Sequence, residues 1–168
     1  MLAADAARNE LILQDIRVLL QERRSPLVLT ERNSHLDLLA SRVAALAPHC
    51  LVFRGGMGIK QRRSLFEQLR AIPPDEPRLL LATGRYIGEG FDDARLDTLL
   101  LTMPISWHGT LQQYAGRLNR HYAAKRDIRI YDYVDQAVPM LQRMFTRRER
   151  GYRALGYRCA SESAPTLF

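Results

Sequence analysis

The 168-residue sequence predicts an α/β fold of three layers, a parallel sheet with helices on both faces. Three observations predict it. Short apolar runs alternate with amphipathic stretches, the pattern of strands joined by crossover helices. The runs are mostly continuous rather than alternating, as strands buried on both faces require. The glycine- and hydroxyl-bearing segments follow the runs directly, where parallel sheets carry their binding loops.

The runs are Leu27-Val28-Leu29, Leu51-Val52-Phe53, Leu79-Leu80-Leu81, Thr98-Leu99-Leu100-Leu101 and Ile128-Arg129-Ile130-Tyr131. Helical periodicity covers residues 34–46, 59–71 and 109–120 between them, with further helices near 9–23 and 138–155. Pro73-Pro74-Asp75-Glu76-Pro77 marks a surface turn before the third run, and Ser161 to Phe168 reads as a frayed tail. The chain is expected to be one domain over 1–168, with its core in 25–135. No internal repeat stands out.

The formal charge is +7, carried by 23 arginines against only Lys60 and Lys125. Arginine suits bidentate phosphate contacts, so an anionic partner is one reading and compositional bias the other. Cys50 and Cys159 lack metal-ligand spacing, which fits a reducing compartment without structural zinc. No stretch approaches the ~20 apolar residues of a membrane span, and no leader pattern is present. A cytoplasmic protein without membrane contact is expected.

The most informative segment is Gln113-Tyr114-Ala115-Gly116-Arg117-Leu118-Asn119-Arg120, a Q-x-x-G-R-x-x-R pattern. At roughly 100° per residue, with Gln113 at zero, Arg117 lies at about +40°, Arg120 at about −20° and Gly116 at about −60°. Gln113, Arg117 and Arg120 are thus expected on one narrow face, with Leu111, Tyr114, Ala115 and Leu118 on the docking face. Two arginines and a glutamine so placed suit a γ-phosphate held by another body; a solvated arginine face is the bland alternative. Gly116 costs about 1 kcal/mol inside a helix, which suggests a close approach to its backbone. Thr83-Gly84, at the end of the third run, offers a hydroxyl and a glycine amide to a phosphate, and Gly88-Glu89-Gly90-Phe91-Asp92 follows.

The order of these motifs resembles the second RecA-like lobe of superfamily 2 helicases and translocases, a P-loop NTPase fold. The resemblance rests on Leu27 to Arg32, Arg54-Gly55-Gly56-Met57 leading into a helix, Ala82-Thr83-Gly84 through Gly90-Phe91-Asp92, and Gln113 through Arg120. It spans residues 25–135 and is most similar in style to bacterial DNA helicases of the type III restriction-subunit and DEAD/DEAH-like group. It implies Arg120 as arginine finger, with Arg117 beside it and Gln113 organising the same site. Gly90 and Asp92 would line a nucleotide cleft, and Thr30, Arg32, Gly55, Gly56, Thr83 and Gly84 would hold a nucleic-acid backbone. Glu89 departs from the arginine many members carry there, which removes the expectation of a phosphate contact at that position.

Other residues invite over-reading. Gly58-Ile59-Lys60 is not a phosphate loop, and Asp75-Glu76 lies on a turn rather than at a strand end. Trp107 is read as packing or base stacking. His35, His49, His108 and His121 form no triad or metal spacing and are expected at surface or capping positions. With neither a G-x-x-x-x-G-K-[S/T] loop nor an acidic magnesium ligand, the resemblance implies a C-terminal motor lobe inactive alone. ATP and Mg²⁺ would be held with an N-terminal lobe, and DNA, with RNA possible, would be the polymer bound. The competing reading is a stand-alone nucleic-acid or protein binding module without catalysis.

Overall fold

The computed structural model describes residues 2–84, 93–105, 111–135 and 137–160. The sheet strands are β1 (Pro26–Thr30), β2 (His49–Phe53), β3 (Arg78–Thr83), β4 (Thr98–Leu101) and β5 (Arg129–Asp132). They form one sheet in the order β2-β3-β1-β4-β5, parallel at every pairing. The helices are α1 (Ala6–Gln21), α2 (Asn33–Val43), α3 (Ile59–Ala71), α4 (Gln112–Leu118) and α5 (Pro139–Ala154), after a short turn of helix at Leu2–Ala4. The three-layer α/β fold is therefore the observed one.

Strand residues divide by parity, because successive side chains point to opposite faces of a sheet. Leu27, Leu29, Leu51, Phe53, Leu80, Ala82, Leu99 and Leu101 meet Leu69 of α3, Leu111, Tyr114 and Leu118 in and before α4, and Tyr152 of α5. Val28, Leu79, Leu81 and Leu100 meet α1 through Ile12, Leu13, Ile16 and Leu19, and α2 through Leu36, Leu39 and Val43. Burial on both faces explains the continuous apolar runs of β1, β3 and β4, which are buried at every position.

Buried arginines lock the two ends of the sheet. Arg24, before β1, donates to the Thr98 hydroxyl at 2.7 Å and pairs with Asp97 and Asp127. Arg78, only 2% exposed at the start of β3, faces Asp93 at 2.6 Å. At the other end, Arg148 of α5 grips both carboxylate oxygens of Asp132, at 2.7 and 2.9 Å, and donates to the Ile105 carbonyl. Removing one partner of such a pair strands a buried charge and costs on the order of 3–5 kcal/mol. Arg148 is thus internal structure, whereas Arg143, Arg147 and Arg150 of the same helix are exposed.

Two helices end in the same hydrogen-bonded reversal. After α5, Gly156 (φ +89°) donates to Arg153 O and Tyr157 to Tyr152 O. After α1, Arg23 (φ +57°) donates to Leu20 O and Arg24 to Leu19 O. Both are Schellman closures needing a left-handed residue, for which glycine carries no Cβ penalty. The second places Arg23 there, immediately before the buried Arg24. Arg23→Gly is expected to stabilise the fold by about 0.5–1 kcal/mol. Chemical denaturation checks this; a lowered midpoint would contradict the strain.

Candidate functional site

The carboxyl edge of the sheet is stitched by its own polar groups. Gly84 N–H donates to Thr30 O at 2.9 Å, and Gly55 N–H donates to the Thr83 hydroxyl at 3.0 Å. Thr102 donates to Leu29 O through its N–H at 3.0 Å and through its hydroxyl at 2.7 Å. These bonds join the ends of β2, β3, β1 and β4 into one rim. They also take groups expected to meet phosphate. The Gly84 and Gly55 amides are both committed, the Thr83 hydroxyl accepts from Gly55, and Thr83 is 7% exposed. The Glu31 carboxylate lies so close over Gly84 that a Cβ there would come within 2.3 Å of Oε1. A phosphate at Gly84 would have to displace that carboxylate.

Thr30 turns entirely inward. Its side chain is buried and its hydroxyl lies 2.9 Å from His35 Nδ1, while His35 Nε2 lies 2.9 Å from Asn9 Oδ1. Asn9 Nδ2 donates to Ala3 O, so its carbonyl faces the ring, Nε2 carries the proton and Thr30 donates to Nδ1. This corrects two sequence readings: Thr30 does not present its side chain to a polymer, and His35 is a core residue rather than a surface or cap residue. Exposed at the rim are Glu31, Arg32, Arg54, Gly55 and Gly56, with Gly56 at φ +86°. Arg54 forms an ion pair with Asp37, tying this loop to α2.

The arginine helix α4 docks as its periodicity predicts. Leu111, Tyr114, Ala115 and Leu118 are all buried, while Gln113 and Gly116 are exposed and Arg117 is half-buried. The Tyr114 hydroxyl donates to Gly84 O at 3.0 Å, fastening the helix to the end of β3. Gln113 and Arg117 share one exposed face at i, i+4 spacing. Arg120 does not complete that face as helical geometry predicts. The helix ends at Leu118, and Arg120 follows in a tighter turn with its N–H on Arg117 O at 3.1 Å. Among the described residues nothing lies within 4 Å of a Cβ built at Gly116, so none of them requires glycine there.

Lys125, which the sequence reading passed over, holds this helix end. Its ammonium donates to Leu118 O and Arg120 O, both at 2.8 Å. Gly90, Asp92, Glu89, Trp107 and His108 lie outside the described residues. Among the described residues no group of three acidic, histidine or cysteine side chains could hold a metal ion, and no helix is long and apolar enough to cross a membrane.

No family model matches the chain. It is 27% identical over 181 residues to transcript termination protein A18 of Camelpox virus (strain CMS), covering 99% of this chain. It is 26% identical to transcript termination protein OPG145 of Variola virus. The chain spans 35% of the length of these relatives. Its fold is similar to that of T4 UvsW, with TM-score 0.70 and 16% identity over 90% of this chain and 33% of that one. It is also similar to the C-terminal domain of the DEAD-box protein Dbp5, with TM-score 0.64 and 13% identity over 90% of this chain and 80% of the other. The C-terminal part of the Fun30 ATPase domain matches at TM-score 0.66 and 12% identity over 83% of this chain and 44% of that one. The fold is that of a RecA-like helicase C-terminal domain.

Burial, reinforced by the Arg8 charge, lowers the His35 pKa below its usual 6.5. The unfolded chain therefore takes up a proton that the folded chain refuses, and stability falls as pH drops below about 6.5. The stabilisation is fully present above that value and is lost downward through the depressed folded value. Urea midpoints from pH 7.5 to 5 are expected to show this loss, and His35→Gln to flatten it; equal slopes in both proteins would contradict the neutral-ring network.

Proposed function

We propose that this chain is the C-terminal motor lobe of an ATP-dependent nucleic-acid helicase or translocase. The observation that carries the reading is the cationic side of α4. Gln113 and Arg117 lie on a helix whose other side is locked into the core by Leu111, Tyr114 and Leu118, and Arg120 follows in the turn that ends it. A rigid mount matters because a phosphate-stabilising arginine works through position, with little reorganisation during reaction. Arg120 serves as the arginine finger, Arg117 supports it, and Gln113 orders the same site.

The residues present fit one end of a nucleotide. Planar guanidinium groups match the γ-phosphate, whereas the described residues supply no acidic cluster for Mg²⁺. An N-terminal RecA-like lobe therefore provides the phosphate loop and the Mg²⁺ ligands, and Gly90 and Asp92 contact the nucleotide from this side. When bound, ATP and Mg²⁺ supply the phosphoryl group and the charge neutralisation of its transfer. Arg32, Arg54 and the Gly55-Gly56 turn form the polymer-facing rim, with DNA as the proposed track and RNA as the alternative. The transcript-termination function named for the poxvirus relatives is compatible with a nucleic-acid motor.

The test is ATP hydrolysis at saturating nucleic acid by the two-lobe protein. A trans-acting arginine contributes on the order of 10³–10⁵ in turnover, and a solvated one well under tenfold. Arg120→Ala is expected to lose turnover by at least about 10³ while circular dichroism and nucleic-acid affinity stay unchanged. Arg120→Lys recovers only part, because lysine lacks the planar fork. Near-normal turnover in a folded Arg120→Ala protein returns the helix to a solvated face and favours the non-catalytic module.

A further inference from the structure

An α-helix leaves its last four carbonyls without intrahelical partners. In α4 these belong to Ala115, Gly116, Arg117 and Leu118. Ala115 O accepts from the Tyr157 hydroxyl at 3.0 Å, Gly116 O from Asn119 N–H at 3.2 Å, and Arg117 O from Arg120 N–H at 3.1 Å. Leu118 O accepts from Lys125 at 2.8 Å. Capping is then complete. Lys125 nevertheless makes a second bond of the same length, to Arg120 O, which lies beyond the helix.

That second bond acts on Arg120, beyond the end of the helix. Arg120 follows the C-cap Asn119, so the helical ladder does not set its backbone direction. Its N–H is tied to Arg117 O and its carbonyl to Lys125, so both peptide groups flanking its Cα are anchored. The lysine arrives through a tight turn, Lys125 N–H donating to Tyr122 O at 3.0 Å, which swings the side chain back over the helix end. A compact ammonium with three rotatable donors suits two convergent carbonyls at the negative end of a helix dipole. In a chain with 23 arginines and two lysines, the use of lysine here is an exception to the chain's own bias.

We propose that Lys125 is a positioning residue for Arg120, setting the backbone from which the guanidinium reaches the transferred phosphoryl group. This rests on the finger reading of Arg120. Lys125 touches no substrate and acts through the Arg120 carbonyl. Desolvation lowers its pKa, while the nearby Asp97 and Asp93 charges act in the opposite direction.

The experiment compares wild type, Lys125→Met, Lys125→Arg and Arg120→Ala in the two-lobe protein, with kcat, KM for ATP, nucleic-acid affinity and thermal midpoint for each. Misplacing a catalytic group by about 1 Å can cost roughly 10²-fold, so Lys125→Met is expected to lower kcat about 10–100-fold. KM and nucleic-acid affinity are expected to stay within about threefold, and Lys125→Arg to recover kcat to within about fivefold, since a guanidinium also spans two carbonyls. If Lys125→Met does not fold, Lys125→Gln replaces it with the same expectation. A kcat within about twofold of wild type, or a parallel loss of kcat, nucleotide binding and polymer binding, overturns the positioning role. Arg120→Ala separates the two ideas: if it abolishes turnover while Lys125→Met does not, only the positioning role fails, and if it spares turnover the finger reading fails first.

Discussion

Gly84, just past the end of β3, has two backbone polar groups, and both are taken. Its N–H closes onto Thr30 O, and its carbonyl receives the Tyr114 hydroxyl. A buried hydroxyl or carbonyl left unpaired costs about 1–3 kcal/mol, so neither bond is lightly broken. Through them the end of β3 is fixed to β1 on one side and to the arginine helix on the other. One hydrogen bond thus connects this rim, with the loops proposed to face a polymer, to the arginine-bearing helix α4.

The arginines of this chain perform two tasks that composition alone cannot separate. Arg24, Arg78 and Arg148 are buried and spent on aspartates at the two ends of the sheet. Arg95 is also structural, donating to the carbonyls of Ile72, Pro73, Pro74 and Glu76 at 3.0–3.2 Å. The aspartates paired with Arg24, Arg78 and Arg148 already count against the formal +7, so these pairs leave the net charge as it is and reduce only the number of arginines at the surface.

The strands were legible because a strand buried on both faces must be apolar at consecutive positions, as Leu79-Leu80-Leu81 and Leu99-Leu100-Leu101 are. The buried side of α4 was legible for the matching reason, since 3.6-residue periodicity places Leu111, Tyr114, Ala115 and Leu118 together. The end of that helix was not, because Leu118-Asn119-Arg120 contains neither glycine nor proline and the cap comes from Lys125, seven residues beyond Leu118. The inward turn of Thr30 was equally hidden. It depends on His35 and Asn9, which meet across 26 positions of sequence. Hydrogen-bond partners far apart in the chain leave no periodic trace, and they decide which hydroxyls and amides remain for a ligand.

The central claim is that Arg120 acts on a nucleotide held by another lobe. The most direct measurement is a structure of the two-lobe protein with nucleic acid, ADP and a planar metal-fluoride mimic of the transferred phosphoryl group. The account expects the Arg120 guanidinium within about 3 Å of the fluoride atoms, with the Lys125 bond to Arg120 O retained. A closed complex in which Arg120 points to solvent, or binds polymer phosphate instead, would contradict it.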